Sequence, residues 1–266
     1  MKESFDKIVA NAKAASEALA SLQGQLKHPE KLWTYFHLRP TTAGVNVIST
    51  LGYAPMAAIL CTQDELAGTI QALDDKADWL TADNPDVAKA LDDLASLGLQ
   101  SAVSAGGPAL DNIQAAFITE MNQSQEAYGN LKFVASELAL PRLTNDKGSY
   151  RFDVVAYDDG CVYFIELKSG RSKAAFTQMD EYMTGMVKEE DALKELLGAY
   201  PLTAPGTSGI ELADFQKVQG IVAMPEAENS RLNWQEISTE HNLEVWFYQT
   251  ALVFRKFLPM NLTAVL

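Results

Sequence analysis

The stretch Tyr150-Arg-Phe-Asp-Val-Val-Ala-Tyr-Asp-Asp-Gly-Cys-Val-Tyr-Phe-Ile-Glu-Leu-Lys168 decides the fold that this sequence predicts. Two apolar runs of strand length flank an Asp-Gly pair, which predicts a tight hairpin turn because both central residues of the favoured turn need positive φ angles. Asp153, Glu166 and Lys168 interrupt these runs. Charged side chains seldom lie in buried strands unless they are paired or functional, so the hairpin predicts a functional site.

The composition is that of a globular protein. The chain has 266 residues, of which 47% are hydrophobic and 21% charged, and this is enough to build a sizeable core. Its two cysteines, Cys61 and Cys161, lie too far apart in sequence for a zinc motif or a framework of disulfides. This usage predicts a reducing, cytoplasmic location.

The distribution of charged residues predicts neither a membrane span nor a strong nonspecific nucleic-acid binder. The first eight residues contain acidic side chains and no continuous apolar core, so we expect no signal peptide there. The longest charge-free stretch, residues 40–63, is interrupted by glycines, threonines and a proline, and we interpret it as buried or loop structure. The net charge of −14 opposes strong nonspecific attraction to nucleic acid.

The first hundred residues have mainly helical patterns. Residues 10–26 and 84–97 carry leucines at helical spacing, and Thr62 followed by Glu65 is a capping box that predicts a helix as far as residue 80. The segment Gly106-Gly-Pro108 is the clearest break in the pattern. We therefore divide the chain into a mainly helical amino-terminal region, residues 1–107, and an α/β domain, residues 108–266.

The second region has an informative order of elements. A helix beginning at Pro108 precedes a strand at 131–140, in which Phe133, Ala135 and Glu137 are expected on one face. The hairpin follows, then helices at 174–188 and 191–200 and short strands at 219–224 and 244–249. The predicted order is helix, three strands, helix, strand.

This order and its charged residues resemble the PD-(D/E)xK nuclease superfamily, over roughly residues 111–225. The resemblance rests on Asp153, on Glu166-Leu-Lys168 and on Gln178-x-x-x-Tyr182, the last being similar to the motif of the RecB and lambda-exonuclease branch. It implies a restriction-endonuclease-like αβββαβ core, a mixed central sheet flanked by helices. Phe152 stands where the superfamily often has proline.

The resemblance implies a metal-dependent phosphodiesterase site. Asp153 and Glu166 would bind Mg²⁺ or Mn²⁺, together with the backbone carbonyl of Leu167, because divalent cations of this kind take hard oxygen ligands. Strand alternation places Glu166 and Lys168 on the same side, about 7 Å apart. Lys168 would then stand beside the attacking water and the scissile phosphate.

Further residues follow from the same resemblance. An additional acidic ligand is expected, and both Glu120, on the preceding helix, and Glu137 are candidates. Gln178 and Tyr182 lie four residues apart on one helical face, and the resemblance gives them a role in ordering the site and contacting substrate. Arg171 and Lys173 supply positive charge next to the site for phosphate contacts.

The sequence thus predicts a Mg²⁺- or Mn²⁺-dependent nuclease whose favoured substrate is DNA. The alternative is a catalytically inactive protein of this fold that binds a protein or nucleic acid, with the acidic surface or the amino-terminal helices as the contact region. A third interpretation makes Glu166 and Lys168 a surface ion pair on an edge strand. The sequence leaves open RNA as substrate, endonuclease or exonuclease action, and the oligomeric state.

Overall fold

A computed structural model describes residues 2–50, 57–77, 95–98, 100–101, 108–123, 128, 130–142, 148–226 and 233–249. The helices in these ranges are α1 Lys2–Leu22, α2 Pro29–Tyr35, α3 Gln63–Asp75, α4 Pro108–Gln123, α5 Ala174–Lys188, α6 Glu190–Ala199 and α7 Trp234–His241. The strands are β1 Phe36–Pro40, β2 Val45–Ser49, β3 Ala57–Cys61, β4 Gln100–Ser101, β5 Lys132–Pro141, β6 Ser149–Asp158, β7 Cys161–Leu167, β8 Lys217–Pro225 and β9 Glu244–Tyr248.

The strands form two sheets. β1 to β4 make an antiparallel sheet in chain order, and β5 to β9 make a mixed sheet, also in chain order. In the mixed sheet β5, β6 and β7 are antiparallel neighbours, whereas β8 runs parallel to β7 and β9 runs parallel to β8. The molecule is therefore a mixed α/β protein, as the sequence predicts.

The predicted hairpin is present, with the predicted turn. β6 and β7 close at the pair formed by Asp158 and Cys161, which leaves a two-residue loop. Asp159 and Gly160 in this loop have φ angles of +41° and +78°. Positive φ at both positions matches the right-handed twist of the flanking strands, so the turn fixes the β6–β7 register from which the charged residues project.

The mixed sheet is covered on both faces. Val162 and Phe164 of β7 belong to a core cluster with α1, α5 and α6, whereas Ile165 and Leu167 belong to a cluster with α4. Successive side chains of a strand point to opposite faces, so Ile165 and Leu167 occupy the layer opposite the one faced by Glu166. This confirms the predicted alternation along β7.

Strand β5 departs from the predicted alternation. Its register with β6 shifts between Phe133 and Ala135, and Glu137 has a φ of +51°. Phe133 consequently packs in the α4 layer and Ala135 in the opposite layer, so the prediction that Phe133, Ala135 and Glu137 share one face is wrong. A bulge adds one residue to a strand and thereby changes which face the following side chains occupy.

The amino-terminal region contains the predicted α3, which begins with the Thr62 and Glu65 capping box and ends at Asp75 rather than near residue 80. The predicted helix at 84–97 falls mostly outside the described residues. The charge-free stretch contains β2 and β3, whereas the helical interpretation of residues 1–107 included no sheet. These strands are only five residues long, and β1 contains a histidine and an arginine, so their pattern is weak.

Packing crosses the predicted boundary at residue 107. Phe5, Ile8 and Val9 of α1 lie in the same core cluster as residues of the mixed sheet. The Ser16 hydroxyl donates to the carbonyl of Ala199 on α6 at 3.0 Å. Within the described ranges, no helix is long and apolar enough to cross a membrane.

Candidate functional site

The candidate site lies where two neighbouring strands stop pairing. The last pair of the β6–β7 ladder is Val154 with Ile165, so Asp153 and Glu166 come directly beyond it. Glu166 is 7% exposed and Asp153 is partly buried. The two carboxylates therefore extend from neighbouring strands just past the point where the strands stop pairing.

Each of the predicted catalytic side chains has a defined partner. Asp153 Oδ2 accepts a hydrogen bond from the backbone N–H of Leu167 at 2.7 Å. Lys168 Nζ forms an ion pair with Glu166 Oε1, and the Lys168 side chain is 24% exposed. The structure therefore brings Asp153, Glu166 and Lys168 together, and Glu166 and Lys168 share one side as predicted.

The two carboxyl groups influence each other's protonation. Burial, followed by the nearby charge of Glu166, raises the pKa of Asp153, while the Leu167 N–H opposes the rise. Burial also raises the pKa of Glu166, against the lowering effect of Lys168. A nearby positive charge would favour the ionised form of both groups, and this is the electrostatic character of a cation site.

Glu137 is the nearer of the two additional acidic candidates. Its charge raises the pKa of both Asp153 and Glu166, which places it beside the pair. Glu137 is itself 8% exposed and forms an ion pair with Arg151. Arg151 in turn lowers the pKa of Glu166, so its positive charge opposes the effect of Glu137 at the site.

Glu120 lies elsewhere. Glu120 is exposed and lies next to the Tyr128 hydroxyl. The pKa of Tyr128 is raised mainly by burial and, as the second cause, by the charge of Glu120. α4 reaches the site through Gln114 instead, whose Nε2 donates to the backbone carbonyl of Asp153 at 2.5 Å. Gln114 is 1% exposed, and among the described residues its Oε1 has no hydrogen-bond partner.

The sequence did not reveal Gln114, because a single buried polar residue on an amphipathic helix has the same sequence pattern as a polar residue that faces solvent. Its direction is decided by how α4 packs across β6 and β7. A buried polar residue of this kind is recognisable only once the helix is placed.

In the predicted Gln-x-x-x-Tyr pair, Tyr182 packs against the hairpin and the exposed Gln178 contacts Tyr182. Gln178 Nε2 donates to the Tyr182 hydroxyl at 3.1 Å, and the Tyr182 ring packs edge-on against Phe152 with 5.6 Å between centroids. Phe152 immediately precedes Asp153, so Tyr182 supports the backbone of the site from α5. The Arg142 guanidinium lies over the Tyr182 ring, 5.8 Å from its centroid.

The two predicted phosphate-binding cations are available to solvent. Arg171 and Lys173 are exposed in the segment that links β7 to α5. The segment starts directly after Lys168, so both residues are near it in the chain. Both side chains are therefore open to solvent beyond the carboxyl end of β7.

The donor set fits Mg²⁺ or Mn²⁺ better than Zn²⁺ or Cu²⁺, because it consists of carboxylate oxygens without imidazole or thiolate. Asp153 and Glu166 supply oxygen ligands, and Mg²⁺ is commonly bound by one or two carboxylates with waters and substrate phosphates as the other ligands. In the part of the chain that the structure describes, no group of three or more His, Cys, Asp or Glu side chains is arranged to hold a metal ion. Asp153 and Glu166 would therefore supply only part of the coordination shell of Mg²⁺.

Comparisons with known proteins found no relative. No protein-family model matches the chain, and no curated protein and no solved structure matches it significantly.

Proposed function

We propose that the protein is a Mg²⁺-dependent nuclease that hydrolyses phosphodiester bonds, with DNA as the favoured substrate. One observation carries the proposal: Asp153 and Glu166 meet beyond the end of the β6–β7 ladder, with Lys168 paired to Glu166. A buried and a partly buried carboxylate side by side cost free energy unless a proton or a cation compensates them. That cost favours a functional pair over a surface ion pair.

The topology supports the same proposal. α4 precedes the antiparallel strands β5, β6 and β7, α5 follows them, and β8 then adds parallel to β7. With α6 as a further helix between α5 and β8, this order is consistent with the αβββαβ core that the resemblance to the PD-(D/E)xK superfamily implies. The position of the charged residues within that order also agrees with the resemblance.

Each side chain has a role that follows from its place. Asp153 and Glu166 would hold the cation, and the Leu167 N–H keeps the Asp153 carboxylate oriented. A bound Mg²⁺ would lower the pKa of the attacking water and offset charge on the phosphate. The Lys168 ammonium, partly exposed and held by Glu166, would stabilise the negative charge that develops on the phosphate oxygens.

The test is metal-dependent cleavage by the wild type, by Lys168→Ala and by Lys188→Ala. Lys188 is an exposed lysine at the end of α5, and its replacement is the matched control for the loss of one positive charge. Substrates are plasmid, linear double-stranded and single-stranded DNA, and RNA, each with Mg²⁺, Mn²⁺ or EDTA.

We expect Lys168→Ala to reduce the turnover number by about a hundredfold, because one electrostatic contact to the transition state contributes on that order. Mn²⁺ affinity, measured by calorimetry, should change little in Lys168→Ala and be abolished by Asp153→Ala. If the wild type cleaves none of these nucleic acids with either metal, the proposed activity is wrong. If it also binds no Mn²⁺, the alternative of an inactive binding protein is favoured.

A further inference from the structure

The backbone of Lys168 is held by an unusual combination of strand and side chain. Its N–H donates to the carbonyl of Ala223 on β8 at 2.9 Å, which continues the parallel β7–β8 ladder. In a parallel ladder the next bond would run from the N–H of residue 225 back to the Lys168 carbonyl. Residue 225 is proline, which has no N–H, so the ladder cannot make this bond.

A side chain from another strand supplies the missing donor. The Tyr248 hydroxyl donates to the Lys168 carbonyl at 2.5 Å. Tyr248 is the last residue of β9 and pairs in register with Pro225, so it lies two strands from Lys168. Neighbouring strands are about 4.8 Å apart, so the β9 and β7 backbones lie roughly 10 Å apart, and the tyrosine side chain and its hydrogen bond together span this gap.

The backbone around Tyr248 is itself anchored. The N–H of Glu226 donates to the Tyr248 carbonyl at 2.8 Å, directly after the pair with Pro225. The hydroxyl is therefore carried by a fixed strand end. On the other side, Ser169 and Gly170 are exposed, so the chain leaves the sheet immediately after Lys168.

We propose that Tyr248 is a positioning residue for Lys168, whose hydroxyl replaces the ladder donor that Pro225 lacks and fixes the backbone from which the ammonium reaches Glu166. This inference rests on the proposed function for its effect on catalysis. Without the hydroxyl, the last backbone bond before the exposed Ser169 is lost and the Lys168 side chain is less well held. Binding of substrate through other residues is not affected.

The experiment uses three variants and a control. Tyr248→Phe removes the donor but keeps the ring, Pro225→Ala restores a backbone N–H, and the double variant tests whether that N–H replaces the hydroxyl. Tyr35→Phe is the control, because the Tyr35 hydroxyl accepts an exposed hydrogen bond from Gln123 at 3.2 Å.

Two measurements are made. Steady-state cleavage kinetics give kcat and KM. The ¹³C resonance of the Lys168 carbonyl, assigned by NMR, reports its hydrogen bond without any reference to activity.

We expect Tyr248→Phe to lower kcat about five- to tenfold with KM within about twofold, the effect of one lost hydrogen bond. The double variant should recover most of kcat, and Pro225→Ala and Tyr35→Phe should behave like the wild type. The Lys168 carbonyl resonance should move in Tyr248→Phe and return in the double variant. A purely structural role of the ring would give no such rescue.

Unchanged kcat in Tyr248→Phe, or a double variant no more active than Tyr248→Phe, would overturn the inference. If the wild type shows no cleavage, the proposed function fails, and the carbonyl resonance decides the positioning role alone. A resonance that does not move in Tyr248→Phe would then overturn it.

Discussion

Replacing His37 with glutamine tests how the amino-terminal sheet is held against the mixed sheet. His37 lies on β1 and is 2% exposed. Its Nε2 lies 2.5 Å from the Ser136 hydroxyl on β5, and its ring packs edge-on against Phe133 with 5.0 Å between centroids. Burial, with a smaller effect of Arg39, lowers the pKa of His37 to about 3.

The sign of the pH dependence follows from this lowered pKa. An unfolded histidine has a pKa of about 6.5, so below that pH the unfolded chain takes up a proton that folded His37 does not. The stability that the folded protein gains from keeping His37 neutral is therefore complete above pH 6.5. It is lost progressively as the pH falls from 6.5 towards the folded pKa of about 3. Each pH unit in this window costs about 1.4 kcal/mol, so His37 alone should cost about 2 kcal/mol between pH 7 and pH 5.

The assay is urea unfolding of the wild type, His37→Gln and Ser136→Ala at pH 7, 6 and 5. The free energies of unfolding of wild type and His37→Gln should converge by about 2 kcal/mol from pH 7 to pH 5. Ser136→Ala removes the partner but keeps the imidazole, so its pH dependence should match that of the wild type. A gap between wild type and His37→Gln that stays constant over this range would refute the reasoning.

Three further outcomes are expected. Mn²⁺ binding measured by calorimetry should tighten from pH 5 to pH 8, because the raised pKa values of Asp153 and Glu166 make protons compete with the metal. A flat wild-type profile would contradict this expectation. Gln114→Leu should lower the free energy of unfolding by about 1–3 kcal/mol in urea titrations, since it leaves the buried Asp153 carbonyl without its donor; an unchanged midpoint would count against the contact. Gly220→Ala should lower the free energy of unfolding by about 1–3 kcal/mol in the same assay, because a methyl group there would lie 2.5 Å from the Leu243 side chain. Wild-type stability would show that the Leu243 side chain moves aside.

The hairpin and its charges were predictable because every signal there is local. Alternation of apolar residues, an Asp-Gly turn and a Glu-x-Lys spacing are all properties of adjacent residues, and the structure contains the predicted turn and the contact between Glu166 and Lys168. The same holds for Gln178 and Tyr182, since four residues make slightly more than one helical turn.

The remaining features depend on contacts between distant segments. Phe133 and Ala135 were assigned to one face because a bulge between them in β5 leaves no mark in the residue pattern. Gln114 and Tyr248 reach the site through packing of α4 and through pairing of β9, neither of which a single segment encodes. Pro225 is visible in the sequence, but its consequence for Lys168 requires the β7–β8 register.

The contact between Ser16 and Ala199 has a consequence for synthesis on the ribosome. These residues are separated by 183 positions, and α1 completes a core whose other members are made much later. At about 5–20 residues per second, α1 waits roughly 10–40 s for α6 to be translated. During that interval its apolar stripe, which includes Phe5 and Ile8, has no docking surface on α6, so nascent chains should be substrates for chaperones that bind exposed amphipathic helices.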